Sequence, residues 1–343
     1  MRKLLNTLFI TNEEAFLKLD QENVVIIEGQ KILARFPLHI LEEIFIFSWK
    51  GCTPALMGEC SGRNIGVAFF TPNGRFLCRI QGKSHGNVLL RKQQYRLSES
   101  YDSLQYAKNI ILGKIYNSKY VLKRMQRDHP MQIPTDRFSD AVCSLDQYMQ
   151  QIQTVRSKDE LRSLEGNAAE KYYSLFDYMI LNQKQNFYFH NRNRRPPVYN
   201  VNAFLSFGYV LLARDYANAL ESVGLDSYVG FMHTDRPGRE SLALDLEEEL
   251  RAPFVDKFIL TLINQKQIKE SDFIKREDGK VELTQDGRKK FFIFWQKRKK
   301  ITITHPFIKE KVEWGLVPYV QSLLLARSIR GDLDQYAPFF WRG

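Results

Sequence analysis

The chain has 343 residues, of which 44% are hydrophobic and 26% are charged. This composition excludes a wholly disordered chain, and the length predicts about two domains. Fifty Lys and Arg against 39 Asp and Glu give a net charge of +11. Such a basic excess favours a polyanionic partner, either nucleic acid or an anionic membrane surface, provided that the charge is localised and not spread over a solvated face.

The apolar run in the N-terminal sequence MRKLLNTLFITNEE is too short and too polar to be the core of a signal peptide. The longest uncharged stretch, residues 196–213, contains Asn200, Asn202 and Gly208, which is more typical of a buried helix than of a membrane span. The four cysteines form no CxxC pair, which suits a reducing compartment. We therefore expect a cytoplasmic protein with no membrane partner.

Short segments rich in Val, Ile and Phe predict β-strands in the first 95 residues. The predicted strands are 15–20, 24–27, 32–36 and 44–47, followed by a hairpin over 66–82. Asn73-Gly74 supplies the hairpin turn, because these residues tolerate the positive φ angles that a tight turn needs. Residues 1–95 are therefore predicted to form a small β-sandwich-like domain.

From about Tyr101 the apolar residues recur three and four positions apart, which predicts helices. The predicted helices are 104–125, 140–154, 158–182, 203–222 and 241–264. Pro130 and Pro134 separate the first from the second. The fold class is therefore α+β, with the β-domain followed by a larger all-α domain over 96–343 and a hinge between Arg91 and Ser100.

Glu165 lies in the predicted helix SLEGNAAEKYY, among small residues. Gly166, Ala168 and Ala169 have small side chains or none, so another chain or a nucleic-acid backbone can approach the Glu165 carboxylate closely. A helical glutamate more commonly faces water, so this pattern alone leaves both interpretations open.

The segment GFMHTDRPGRESLALDLEEELR combines an imidazole with carboxylates. His233 lies in a loop before a helix that begins near Ser241, and Asp245 and Glu248 emerge on the same side of that helix. One imidazole and two carboxylates form a candidate divalent-metal set, which suits Mn²⁺ or largely hydrated Mg²⁺ better than Ca²⁺. The same residues also fit a salt-bridged helix start or a satisfied core histidine.

The basic excess is concentrated near the C-terminal end of the chain. Between Lys275 and Lys311, 12 Lys or Arg and 5 Asp or Glu leave +7 of the total +11. The basic residues at its centre are Arg288, Lys289, Lys290, Lys297, Arg298, Lys299 and Lys300. We expect these charges to contact nucleic-acid phosphates and the interleaved aromatic rings to lie in the core, the alternative being that the charges only solvate a helix.

Four segments, in order, resemble the family of CRISPR-associated endonuclease/integrases of spacer acquisition. SLEGNAAEKYY is similar to the family's LEGxAAxxY helix, and RRPPVYNVNAFLSFGYVLL to its RPPxDPxNALLSFGY segment. MHTDRPGRESLALDLEEELR is similar to HxxRxGRxSLALDLMEEFR, and ELTQDGRKKFFIFW to LTxEGRKxFL. The N-terminal stretch ALMGECSGRNIGVAFFTPNGRFL looks closest to subtype I-C members. Tyr199-Asn200 departs from the family's usual Asp-Pro.

The resemblance implies roles for the acidic residues and the histidine. Glu165, His233 and Glu248 match the positions that bind Mg²⁺ or Mn²⁺ in the family. Asp245 matches a further acidic position of the catalytic site, and Arg251 a basic residue near the scissile phosphate. The helical domain would be catalytic, and the β-domain would serve dimerisation and DNA contact.

The resemblance also implies a reaction and partners. The family inserts new spacer DNA into a CRISPR array by attack of a 3′-hydroxyl on a repeat phosphodiester. Its substrates are double-stranded DNA, namely the spacer precursor and the repeat array. It works as homodimers with a small ferredoxin-like partner protein. The alternatives are a stand-alone metal-dependent nuclease on branched DNA and a non-catalytic DNA-binding scaffold.

Overall fold

The computed structural model describes residues 6–72, 76–80, 88–193 and 196–342. Its N-terminal strands are β1 (Thr7–Ile10), β2 (Phe16–Asp20), β3 (Asn23–Glu28), β4 (Lys31–Pro37), β5 (Glu43–Ile46), β6 (Gly66–Phe70) and β7 (Phe76–Ile80). β2, β3 and β4 form an antiparallel sheet, and a second sheet has the order β1-β5-β6-β7. β1, β5 and β6 are parallel, and β7 is antiparallel to β6.

Alternating apolar residues of the strands enclose the N-terminal core. Leu17 and Val24 from one sheet and Ile44 and Ile46 from the other are fully buried there. Helix α1 (Pro54–Gly62) joins β5 to β6 and begins at Thr53, whose hydroxyl accepts the backbone N–H of Leu56 at 3.3 Å. The predicted β-hairpin is present as β6 and β7, but its turn residues Asn73 and Gly74 lie outside the described residues.

The rest of the chain is mainly helical, so the predicted α+β fold class is confirmed. The helices are α2 (Val88–Glu99), α3 (Ser103–Asp128), α4 (Thr135–Thr154), α5 (Lys158–Tyr173), α6 (Asn200–Ser222), α7 (Ser241–Leu250), α8 (Lys257–Asn264), α9 (Gln285–Lys299) and α10 (Val317–Arg330). Two small hairpins lie among them, formed by β8 (Phe273–Lys275) with β9 (Val281–Leu283) and by β10 (Thr302–Thr304) with β11 (Lys311–Glu313).

Two predicted helices end differently from the expectation. The helix over 158–182 stops at Tyr173, because Phe176 and Met179 are buried in a 3-10 turn and the Asp177 carboxylate binds the backbone N–H of Phe189 at 2.8 Å. The helix over 241–264 is divided into α7 and α8 by a π-helical turn, Arg251–Asp256. Pro253 lies inside this turn and has no N–H to donate, which favours the local widening of the helix.

Helix α9 joins the β-sheets to the helices through its aromatic residues. The Phe292 ring stacks on Phe9 of β1 with centroids 4.1 Å apart, and Phe291 meets Phe204 of α6 edge-on at 5.2 Å. Phe291, Phe292 and Trp295 are buried, as expected for core aromatics. The predicted division at residue 95 falls inside α2 and stays a prediction. Among the described helices, none is both long and apolar enough to cross a bilayer.

Candidate active site

Three helices and one loop bring the candidate residues together. Glu165 lies on α5, Asp245 and Glu248 lie on α7, and His233 lies in the loop that precedes α7. Arg251 begins the π-helical turn that follows α7. Helix α3 packs against both α5 and α7 and contributes a further side chain, Lys114.

Lys114 holds the two glutamates together. Its ammonium nitrogen donates a hydrogen bond to Glu165 Oε1 and lies 2.8 Å from Glu248 Oε2. Burial lowers the pKa of Lys114, but the charges of Glu248 and Glu165 outweigh burial and raise it above its usual value. The two carboxylates therefore enclose one full positive charge.

Glu248 is ionised although it is buried. Burial alone would raise its pKa, but Arg251 and Lys114 hold the pKa well below its usual range. Arg251 Nη1 lies 2.5 Å from Glu248 Oε1, and the guanidinium carbon lies 4.2 Å from the centre of the Tyr209 ring. Glu248 thus carries a fixed negative charge at the point where α3, α5 and α7 meet.

Asp245 orients His233 and its loop. One carboxylate oxygen accepts the backbone N–H groups of Phe231 and Met232 at 2.6 and 2.9 Å. The other lies 2.9 Å from the backbone nitrogen of His233 and 2.6 Å from its Nδ1. In a neutral imidazole this contact places the proton on Nδ1 and leaves Nε2 free as an acceptor or a metal ligand. The ring is close enough to Glu248 that a positive charge on it would lower the pKa of that glutamate, by less than Arg251 and Lys114 do.

A narrow cavity lies beside Glu248 and Lys114. Its volume is about 20 Å³, and Ala168 and Ala169 of α5 line it together with Glu248 and Arg251. Ala168 and Ala169 therefore leave a small space beside the Glu248 carboxylate, and the approach of a nucleic-acid backbone to Glu165 stays a prediction. Apart from its own helix, no other described part of the chain comes within 4 Å of the position that a Cβ on Gly166 would take.

Lys114 and Asp256 are two residues of this centre that the sequence did not predict. Asp256 accepts hydrogen bonds from the hydroxyls of Tyr172 and Tyr209, and burial raises its pKa to about 6. Tyr209 also lies against Arg251. By accepting a hydrogen bond from the Tyr209 hydroxyl, Asp256 helps to fix the ring on which the Arg251 guanidinium packs. A signal for Lys114 was present, because a lone lysine interrupts the apolar run NIILGKIY of α3.

The chemistry of this centre fits a hard divalent cation. The ammonium group of Lys114 lies between the carboxylates of Glu165 and Glu248. Carboxylate oxygens are also the ligands that Mg²⁺ and Mn²⁺ prefer. Within the described residues, no three side chains of His, Cys, Asp or Glu converge closely enough to hold an ion in common. Metal ligation by Glu165, His233 and Glu248 therefore stays a prediction.

The seven basic residues around α9 do not share one surface. Arg288 is buried and donates to the carbonyl of Leu283 at 2.7 Å, and Lys299 is buried beside Asp215 and Glu43. These contacts contradict an exposed DNA-binding role for Arg288 and Lys299. The other five retain exposed surface, and their contact with DNA stays a prediction; they are Lys289, Lys290, Lys297, Arg298 and Lys300.

Comparison with known proteins gives one consistent result. The family described as CRISPR associated protein Cas1 matches residues 8–297. The CRISPR-associated endonuclease Cas1 1 of Chlorobaculum tepidum is 43% identical over 343 residues, which is all of both chains.

Two solved structures share the fold. A casposase bound to integration product has a TM-score of 0.83 and 23% identity, covering 98% of this chain and 93% of that one. A Cas6-RT-Cas1–Cas2 complex contains a chain with a TM-score of 0.80 and 19% identity, covering 99% of this chain and 37% of that one.

Proposed function

Because the chain belongs to the Cas1 family of CRISPR-associated proteins, we propose that it is a metal-dependent DNA endonuclease and integrase that inserts new spacer DNA into a CRISPR array. The observation that carries this function is the pair of glutamates, Glu165 and Glu248, closed around one cation beside an oriented imidazole. Carboxylates gathered in this way can hold a divalent ion, and such an ion stabilises the charge that develops on a phosphate.

The metal ligands in this proposal are Glu165, His233 and Glu248, and the ion is Mg²⁺ or Mn²⁺. Such an ion, when bound, polarises the scissile phosphate and helps to activate the attacking oxygen. Asp245 fixes the imidazole so that Nε2 faces outward. Arg251, held by Glu248 and Tyr209, supplies positive charge close to the carboxylates.

The reaction exchanges one phosphodiester for another. The 3′-oxygen of the spacer forms a new bond to phosphorus, the bond to the 3′-oxygen of the repeat strand breaks, and a proton passes from the attacking to the leaving oxygen. Water in place of the 3′-hydroxyl gives hydrolysis at the same centre. Because one phosphodiester bond forms as another breaks, the reaction needs no external source of energy. The residues of the chain therefore act by positioning the reactants and by stabilising the charge that develops on the phosphate.

The proposal extends to partners, location and subtype. The substrates are double-stranded DNA, as spacer precursor and repeat array, and the protein acts as a homodimer with a small ferredoxin-like partner. The Cas1–Cas2 assembly of the structural neighbour supports such a partner. The four free cysteines suit the cytoplasm as its location. The N-terminal motif favours subtype I-C.

One assay separates the proposed function from its alternatives. A labelled spacer duplex, a supercoiled plasmid with the repeat, the protein and its small partner are incubated with Mg²⁺ or Mn²⁺. We expect joined spacer–plasmid product that disappears with a chelator. Cut DNA without joined product would identify a stand-alone nuclease. A mobility shift without either product would identify a scaffold.

Asp245→Asn should slow strand transfer by about 10- to 100-fold, which is less than the loss expected for Glu248→Ala. The amide keeps one acceptor oxygen in place of two. Its NH₂ group cannot accept a hydrogen bond, so either the loop N–H donors or the Nδ1–H of His233 lose their acceptor. Rates measured across a metal titration check this expectation. Asp235→Asn, an exposed change in the same loop, is the control. An Asp245→Asn protein as inactive as Glu248→Ala at every metal concentration would place Asp245 among the ligands.

A further inference from the structure

A group of basic side chains surrounds an indole ring at the C-terminal end of the chain. The Lys257 nitrogen lies 4.6 Å from the centre of the Trp341 ring, and the Arg124 guanidinium carbon lies 6.0 Å from it. The Trp314 ring lies 6.5 Å from Trp341, and the Arg298 guanidinium carbon lies 5.2 Å from Trp314. We call Arg124, Lys257, Arg298 and Trp341 the Trp341 cluster.

Two of the three positive charges of the cluster, those of Lys257 and Arg298, lie without a carboxylate partner among the described residues, whereas Arg124 is paired with Asp128. Burial first, and then the charges of Arg124 and Arg298, lower the pKa of Lys257 to about 8. Burial and Arg124 lower the pKa of Arg298 to about 10. Within the described part of the chain, neither Lys257 nor Arg298 forms an ion pair with a carboxylate, and Asp128 is already paired with Arg124 at 3.2 Å and with Arg127 at 2.8 Å.

The cluster also contains an unsatisfied polar atom. The Nε atom of Arg298 is buried without a hydrogen-bond partner among the residues that the structure describes, while Nη2 donates to the carbonyl of Pro253 at 3.0 Å. Like charges held this close oppose folding, so they are unfavourable unless an anion binds among them.

The cluster is held rigidly and is connected to the active site. The backbone N–H of Trp341 donates to the Asn117 side chain at 2.8 Å, and the Asn117 amide donates to the carbonyls of Glu249 and Phe339, both at 2.7 Å. Asn117 thus ties the C-terminal segment to α7, next to Glu248. Arg124 lies ten residues beyond Lys114 on α3, which corresponds to about 15 Å along the helix.

We propose that the Trp341 cluster is a second anchor for the DNA, at which Arg124, Lys257 and Arg298 bind backbone phosphates of the substrate away from the scissile bond. This inference rests on the proposed function, which supplies DNA as the polyanion. Two guanidinium groups provide planar donor pairs that match phosphate oxygens. At about 3.4 Å of helix axis per nucleotide of one strand, a separation of about 15 Å corresponds to roughly four nucleotides.

The first test removes charge from the partly exposed members of the cluster. In the Arg124→Gln/Lys257→Gln double variant, we expect weaker binding of a fluorescein-labelled DNA duplex. We also expect a salt dependence that is flatter by about 0.9 in log K against log salt for each lost phosphate contact. Arg156→Gln/Lys266→Gln removes the same charge from exposed positions elsewhere in the helical part of the chain and should leave the slope unchanged. The unfolding midpoint of the cluster variant is measured alongside, because the double change relieves repulsion but also removes the ion pair between Arg124 and Asp128.

The second test uses wild-type protein and does not depend on a variant folding. A lysine with a pKa near 8 is about half deprotonated at pH 8 and reacts with acetic anhydride. We expect mass spectrometry to find Lys257 acetylated in the free protein and protected by the duplex, while exposed Lys266 reacts in both samples.

Two outcomes would overturn the proposal: an unchanged salt slope with Lys257 unprotected by duplex, or protection by the small partner protein in place of DNA. These results are independent of catalysis. Duplex that protects Lys257 without any joined product would refute the proposed function and leave this site standing. Joined product with Lys257 unprotected by the duplex would support the proposed function and refute the DNA anchor at the Trp341 cluster.

Discussion

Glu248→Ala, Glu165→Ala and His233→Ala should each reduce strand transfer by about 10³-fold or more, while duplex binding changes little. The loss of one metal ligand removes several kcal/mol of charge stabilisation, and each 1.36 kcal/mol corresponds to tenfold in rate. Affinity for DNA comes mainly from phosphate contacts of basic residues elsewhere, so it should persist. Quenched-flow rates, duplex affinity and Mn²⁺ binding by calorimetry on the same proteins check the three parts of this expectation.

The three substitutions should differ in their effect on stability. The Glu165 side chain is 26% exposed, whereas that of Glu248 is 8% exposed and pairs with both Arg251 and Lys114. Removing one member of a buried ion pair costs about 3–5 kcal/mol, so Glu248→Ala should lower the unfolding midpoint much more than Glu165→Ala. Glu248→Gln retains a hydrogen-bonding group and keeps the test valid if the alanine variant does not fold.

Glu170→Ala is the matched control for Glu165→Ala. Glu170 lies on the same helix and is exposed, so its removal should change neither rate nor metal affinity. A variant at Glu165, His233 or Glu248 that integrates at nearly the wild-type rate in metal-replete buffer would remove that residue from the ligand set. Loss of activity with unchanged Mn²⁺ affinity would assign the residue a role other than ligation.

A local pattern in the sequence singled out His233, Asp245 and Glu248, whereas the roles of Glu165 and Arg251 rest on the resemblance to the family. Asp245 and Glu248 are three residues apart on one helix, and a loop with a histidine precedes them. Lys114 could not be placed in the same way, since its ion pair with Glu248 joins positions 134 residues apart through the packing of α3 on α7. A pattern within one helix carries no information about the helix that packs on it.

The three consecutive acids of α7 show the same limit. Glu248 faces Lys114 and Arg251, whereas Glu249 points the other way and binds the backbone N–H of Phe339 at 3.0 Å and the amide of Gln321 at 2.9 Å. Burial raises the pKa of Glu249 to about 8. Neighbouring glutamates lie about 100° apart around a helix, and only the packed structure tells which of them faces the active site and which holds the C-terminal segment.

The basic segment around α9 illustrates why charge alone does not define an interface. Lys299 was counted among seven candidate DNA contacts, yet its side chain is 3% exposed and lies 3.3 Å from Asp215 and 3.6 Å from Glu43. Glu43 belongs to β5 and also accepts a hydrogen bond from Asn218 of α6. The ammonium group therefore joins the N-terminal sheet to the helices, and its removal should be felt in stability.

Lys299→Met should destabilise the protein by about 3–5 kcal/mol, because the buried carboxylates of Asp215 and Glu43 lose their cation. Urea unfolding followed by circular dichroism measures the change. Lys300→Met is the matched control, since Lys300 is the next residue and is exposed, and it should stay within about 0.5 kcal/mol of wild type. Adding Asp215→Asn to Lys299→Met should restore part of the loss by removing one uncompensated charge. If Lys299→Met unfolds at the same urea concentration as Lys300→Met and flattens the salt dependence of duplex binding, Lys299 contacts DNA and the structural role argued here is wrong.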